Sequence, residues 1–183
     1  MVKKMKKILL ILTIVLLVGC EKDLNNTPTK RVEVFLSNYQ SLGEDVQAKI
    51  IADVDDMADL TKEQKDEYIN LWKKHFQGLT YEIKDEKIDG DDATVTTEIE
   101  VLDYSMIMAN SNNALSETPE LFQDELGNYS ATIYNDYRIN ALKEAKDKVT
   151  YTIDFKLKKI NKKWVLQDLS EEENSKLSGT YNH

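Results

Sequence analysis

Cysteine is nearly absent: Cys20 stands alone among 183 residues. A lone thiol excludes an intrachain disulfide and a cysteine-based zinc site, so the fold must stand on its own core. Histidine is almost as scarce, with only His75 and His183, and no paired Cys/His ligands occur. Two prolines and six glycines are present, with no Gly-rich phosphate loop, no internal repeat and no nucleophile motif. One long apolar run stands out, Ile8 to Val18, broken only by Thr13. At about 1.5 Å per residue it covers roughly half of a hydrocarbon core about 30 Å thick, too little for a permanent spanning helix.

What surrounds that run is informative. Lys3, Lys4, Lys6 and Lys7 precede it, and Leu17-Val18-Gly19-Cys20 closes it with a small residue before a cysteine. The arrangement resembles a bacterial lipoprotein signal peptide. The resemblance implies a leader over residues 1–19, cleavage before Cys20, and a diacylglyceryl group on the Cys20 thiol. The expected location is therefore the extracytoplasmic face of the cell membrane, with the membrane itself as a partner through that lipid. The alternative is a conventional signal peptide that leaves Cys20 as an ordinary thiol.

Loss of the leader removes four lysines and no acids, so a net charge of −9 becomes −13. Such a domain has no counterion-release term to drive binding to phosphates, which excludes nucleic acid as a partner. Two acyl chains anchor a protein stably without polybasic help, consistent with an acidic domain at a membrane. Residues 20–27 are polar and read as a short tether; eight extended residues reach at most about 28 Å. Residues 28–180 fit one domain, a size at which about 68–70% of the unfolded surface becomes buried.

The first half has helical spacing. Thr27-Pro28 is a cap followed by proline at the first helical position, and Val32, Phe35, Leu36, Tyr39 and Leu42 follow, with Gly43 as the expected stop. A second helix over about Glu44 to Asp55 carries Val46, Ile50 and Val54. A third starts at Thr61, whose partner Gln64 completes a capping box, and presents Tyr68, Leu71, Trp72, His75 and Phe76 before an expected left-handed Gly78.

After Gly78 the period becomes two. Tyr81, Ile83 and Ile88 precede an Asp89-Gly90 turn, and Ala93, Val95, Thr97, Ile99 and Val101 then alternate. Thr118-Pro119 is expected to cap a helical stretch from Leu121 to Leu142, broken or bent near Gly127. Val149 to Leu157 alternate again, and after a turn at Asn161-Lys162-Lys163 the last strand runs from Trp164 to Leu169. Helices first and a mostly antiparallel sheet after them define an α+β domain. The helices pack on one side of a curved sheet, with a helical insertion between two hairpin arms.

The order, with Val32, Phe35 and Tyr39 after Thr27-Pro28, the Asp89-Gly90-Asp91 hairpin ahead of Ala93 and Val95, and Lys163-Trp164 opening the last strand, resembles the nuclear transport factor 2-like cone. It is similar in particular to small lipoproteins of low-GC bacteria that carry such a domain. That resemblance implies a fold used by enzymes, ligand pockets and binding modules alike. The enzymes place acids, tyrosines or a histidine inside the cone. This chain offers His75, on one stripe with Trp72 and Phe76 and so read as a core histidine, and the Asp103-Tyr104 pair at a strand end.

Two acidic clusters invite comparison with calcium sites: Asp53, Asp55, Asp56 and Asp59, and Asp85, Glu86, Asp89, Asp91 and Asp92 around Gly90. The first lacks the loop glycine and distal glutamate of an EF-hand, and turn chemistry explains the second. No metal and no cofactor are expected. Tyr129, Tyr134 and Tyr137 crowd into one segment and form the candidate surface for a ligand or partner, tyrosine joining an apolar body to a polar tip. The expected function is a non-catalytic binding or accessory module. The alternatives are a small-ligand pocket between helices and sheet, and a cone-fold isomerase or cyclase.

Overall fold

The computed structural model describes residues 25–182. The expected leader 1–19, Cys20 and His183 lie outside the described residues. The element order is α1 (Pro28–Ser41), α2 (Glu44–Asp55), α3 (Lys62–Gln77), β1 (Thr80–Asp89), β2 (Asp92–Leu102), α4 (Ser105–Glu117), a 3₁₀ turn (Pro119–Phe122), α5 (Ala131–Lys143), β3 (Lys148–Ile160), β4 (Lys163–Leu166) and α6 (Glu171–Leu177). The four strands form one antiparallel sheet in the order β1-β2-β3-β4. The domain is α+β, with helices ahead of and beside an open sheet.

One sheet face is apolar because the strand period places its alternate residues together. Ala93, Val95, Thr97, Ile99 and Val101 of β2 are buried, as are Tyr151, Ile153, Phe155 and Leu157 of β3. Against them lie Val32 and Leu36 of α1 and Phe76 of α3, with Phe35 set edge-on to Phe155 at 5.7 Å. Burying side chains of this size contributes roughly 1.5–3 kcal/mol each. The other face carries Thr94, Thr96, Glu98 and Glu100 and is polar. There Lys148 pairs with Glu100 at 2.6 Å, Lys84 with Glu98 at 3.3 Å, and Thr96 donates to Asp154 at 2.6 Å.

Local signals account for most helix starts. Thr27 accepts from the Lys30 N–H, and Thr61 and Gln64 form the capping box reciprocally. Glu86 of β1 accepts from both the N–H and the hydroxyl of Thr29, at 2.9 and 2.7 Å, which satisfies an orphan donor of α1 and ties that helix end to the sheet. A bulge between Ile83 and Asp85 shifts the register of β1, so that Ile88, opposite Ala93, lies on the same face as Tyr81 and Ile83 despite its even number.

Several expectations are corrected. Leu42, not Gly43, takes the left-handed position after α1, at φ 55°, and Gly43 stands at the start of α2. Gly78 is right-handed, at φ −87°. The helical stretch expected from Leu121 to Leu142 is broken around Gly127 into a 3₁₀ turn, a loop closed by a Gln123–Tyr129 bridge, and α5. Helices α4 and α6 were not expected, and the last strand stops at Leu166 instead of Leu169.

Candidate functional site

The inserted segment builds one candidate surface. Its anchor is Phe122, buried at the end of the 3₁₀ turn, whose ring meets Tyr134 and Tyr137 edge-on, each at 5.3 Å. Ser130 caps α5 by accepting from the Ile133 N–H, and positions 134 and 137 then fall on adjacent faces. Tyr134 is 7% exposed, and its hydroxyl donates to Asn112 Oδ1 of α4 at 2.8 Å. Tyr137 and Tyr129 are 43% and 56% exposed. Of the three tyrosines singled out, two therefore face solvent while the third is buried against Phe122. Leu121, Leu126 and Ile133, exposed at 58%, 86% and 37%, stand in the same segment and carry the apolar surface further.

Within the segment itself the charge has one sign. From Glu117 to Asp136 the segment contains Glu120, Asp124 and Glu125 but no lysine or arginine. The next cation, Arg138, is turned inward: its Nε donates to the Tyr68 hydroxyl at 2.6 Å and its guanidinium lies over the Tyr68 and Tyr134 rings. The segment therefore presents exposed apolar side chains interspersed with acidic ones.

A second feature lies on the helical side, a half-open cleft of about 360 Å³. Helix α2 supplies Ile50 and Asp53, α3 supplies Trp72 and Phe76, and α6 supplies Glu171 and Leu177. Helix α6 is held there by a capping box between Ser170 and Glu173, by His75, and by a backbone bond from Tyr104 N–H to Gly179 at 2.8 Å. The motif Ser170-x-x-Glu173 was the sequence signal that α6 exists. Where the helices meet the sheet, a more open groove lies between α1 and β4, lined by Phe35, Trp164 and Leu166.

His75 is fully buried. Its Nε2–H donates to the Leu177 carbonyl at 3.1 Å, so the neutral ring exposes the Nδ1 lone pair, which is buried without a partner. A second proton would sit on Nδ1 with nothing to accept from it, and burial lowers the His75 pKa from 6.5 to about 4. The neighbouring Tyr104 ring, 5.0 Å away, is also buried, which raises its pKa to about 12. Asp103 turns the other way and caps α4, accepting from the N–H and the hydroxyl of Ser105. Asp103 and Tyr104 therefore do not converge on one reacting atom.

The acidic clusters are partnered locally. Asp53 binds Lys49 at 3.0 Å, Asp55 binds Lys65 at 2.9 Å, and the Asp59 carbonyl accepts from Asn135 at 3.1 Å. Around Gly90, Asp85 lies 3.5 Å from Lys87 and Asp92 lies 3.6 Å from Lys158. Among the described residues no three acidic, histidine or cysteine side chains are grouped to hold a metal ion, and no helix is long and apolar enough to cross a membrane.

The molecule so defined is an α+β domain with an acidic, apolar-studded insertion and an apolar cleft. No family model and no curated protein matches the chain. Among solved structures it is similar to ycdA of Bacillus subtilis, a provisionally assigned lipoprotein, at 16% identity and a TM-score of 0.41. The match covers 82% of this chain and 47% of that one, so this chain spans about half the length of that protein.

Proposed function

We propose that the protein is an extracytoplasmic lipoprotein, held at the cell membrane by a diacylglyceryl group on Cys20, whose nuclear transport factor 2-like domain is a non-catalytic module that docks a protein partner. The observation that carries the docking role is the exposure of Leu121, Leu126, Tyr129, Ile133 and Tyr137 on a single inserted segment. Exposed apolar residues gathered in one place mark interaction surfaces, whereas scattered ones do not. The interspersed acidic side chains select the partner's chemistry: an apolar hollow rimmed by lysine and arginine. The tether adds proximity. Asn26 is clasped to the β3–β4 turn, donating to the Lys162 carbonyl at 2.8 Å and accepting from the Trp164 N–H at 3.1 Å, so the domain hangs only six residues from Cys20.

A photo-reactive benzoylphenylalanine placed at Tyr137 of the full chain, in its own membrane, tests this reading. The expected result is an adduct with another protein that disappears when Leu126→Glu is added and weakens as salt is raised. The same probe at Thr94, on the polar sheet face, is expected to give none. No adduct at Tyr137, or one of twice the mass of this chain, overturns the proposal. The anchor is tested separately: Cys20→Ser is expected to release the chain from the membrane fraction and abolish its labelling by fatty acid.

A further inference from the structure

The cleft between α2, α3 and α6 lies apart from the docking patch, and its chemistry points to a ligand of a different kind. Its volume, about 360 Å³, falls in the lower part of the range of small-molecule sites. Its walls are aromatic: Tyr39 meets Phe76 edge-on at 4.8 Å, and the Trp72 ring lies nearly parallel to Phe76, 6.1 Å away. Ile50, Met57 and Met108 complete the apolar lining, and methionine adapts its shape to what it meets.

The polar groups at the mouth are mostly already satisfied or negative. On the α6 side, Asn174 donates both its amide bonds to the Leu169 and Ser170 carbonyls, and Ser178 donates to the Ser175 carbonyl. Few donors therefore remain to grasp an anion. Lys49 is the only cation on the lining, and it is paired with Asp53 across one turn of α2. Glu171 has no ion-pair partner among the described residues, so the mouth holds two carboxylates against one ammonium. Burial raises the Tyr39 pKa, and the Asp53 and Asp45 carboxylates add to that shift. Aromatic faces attract cations as well, and a chain of net charge −9 concentrates them.

We propose that this cleft binds a small amphipathic cation, an amine or quaternary ammonium joined to an apolar ring or short chain. The ring or chain packs on Ile50, Met57 and Leu177, and the charged head sits over Trp72 between Asp53 and Glu171. Neutral and anionic molecules of the same size lose the electrostatic part of this interaction.

The test uses the full chain in zwitterionic nanodiscs, labelled with 5-fluorotryptophan. The two tryptophans, Trp72 in the cleft and Trp164 on β4, then report separately. Benzyltrimethylammonium, benzyl alcohol and phenylacetate are titrated in turn. The expected result is a saturable shift of the Trp72 signal with Trp164 unmoved, and binding of the cation roughly tenfold tighter than of the other two. Glu171→Gln combined with Asp53→Asn is expected to erase that preference, and Lys49→Ala, which frees Asp53 from its ion pair, to strengthen cation binding. A Trp72 signal that does not saturate, or equal affinity for the three probes, or a preference that survives the double substitution, overturns the proposal. None of these readouts depends on Tyr137 or Leu126, so failure here leaves the docking surface standing and the reverse also holds.

Discussion

Along β2 every second residue, from Ala93 to Val101, is buried under the helices. Along the inserted segment the large apolar residues divide: Phe122 and Tyr134 turn inward while Leu121, Leu126, Tyr129, Ile133 and Tyr137 stay in solvent. The two regions spend apolar area differently. In the sheet, one face is shared by four strands and covered by α1 and α3, so burial is collective. In the insertion, a short 3₁₀ turn and a three-turn helix offer too little surface to cover one another, and one wedge, Phe122, holds them together. The contrast shows where this fold stores stability and where it leaves surface available for recognition.

Removal of Phe155, at the centre of β3 and wholly buried, is the strongest way to break that contrast. Phe155→Ala is expected to cost about 3–5 kcal/mol, read as a fall in the midpoint of urea unfolding with unchanged slope. A loss under 1 kcal/mol would mean that the sheet is not the cooperative core.

The seam between α3 and α6 responds to acid. Folded His75 has a pKa of about 4 against 6.5 when unfolded, so between these values the unfolded chain takes up a proton that the folded chain refuses. The stability contributed by the neutral ring is fully present above pH 6.5 and falls as the pH drops towards 4, by about 3 kcal/mol. His75→Leu is expected to flatten this part of the stability profile relative to the parent chain. Parallel profiles for the two chains would refute it.

Phe122→Ala tests the insertion from within. The surface there relaxes more easily than a closed core, so the expected cost is about 2 kcal/mol. It should appear as faster amide exchange in α5, with β2 and β3 amides unchanged. Uniform acceleration across the sheet would show that the two regions unfold as one. Smallest of all, Leu126→Ser and Tyr129→Ser are expected to change stability by less than about 0.5 kcal/mol, because both side chains already meet water. A larger change in the thermal midpoint would place them in the packing.

Legibility follows the range of the interactions concerned. The β2 pattern and the Thr61–Gln64 capping box were readable because each is local: alternate residues of an extended chain share a face, and a cap touches its own first turn. Helix α4 escaped because its buried positions include Ser105 and Ser111, small polar residues that leave no apolar stripe. Helix α6 has seven residues, too short for periodicity, and only its capping box betrayed it. The tyrosine cluster was visible as composition, yet its division into buried Tyr134 and exposed Tyr129 and Tyr137 depends on where Phe122 and Asn112 arrive.

By itself the amino-acid order determined the alternation that makes one sheet face apolar, the helix starts at Thr27 and Thr61, the acidity of the domain, and the lone Cys20 behind a basic and apolar run. Each of these rests on residues within a few positions of one another. Only the tertiary structure decided that Leu177 reaches His75 across 102 residues, that α6 thereby walls a cleft against α2 and α3, and that the insertion has a solvent-facing side. The physical reason is that short-range preferences specify elements, whereas a cavity or a patch exists only once the faces of distant elements have met and buried their shared area.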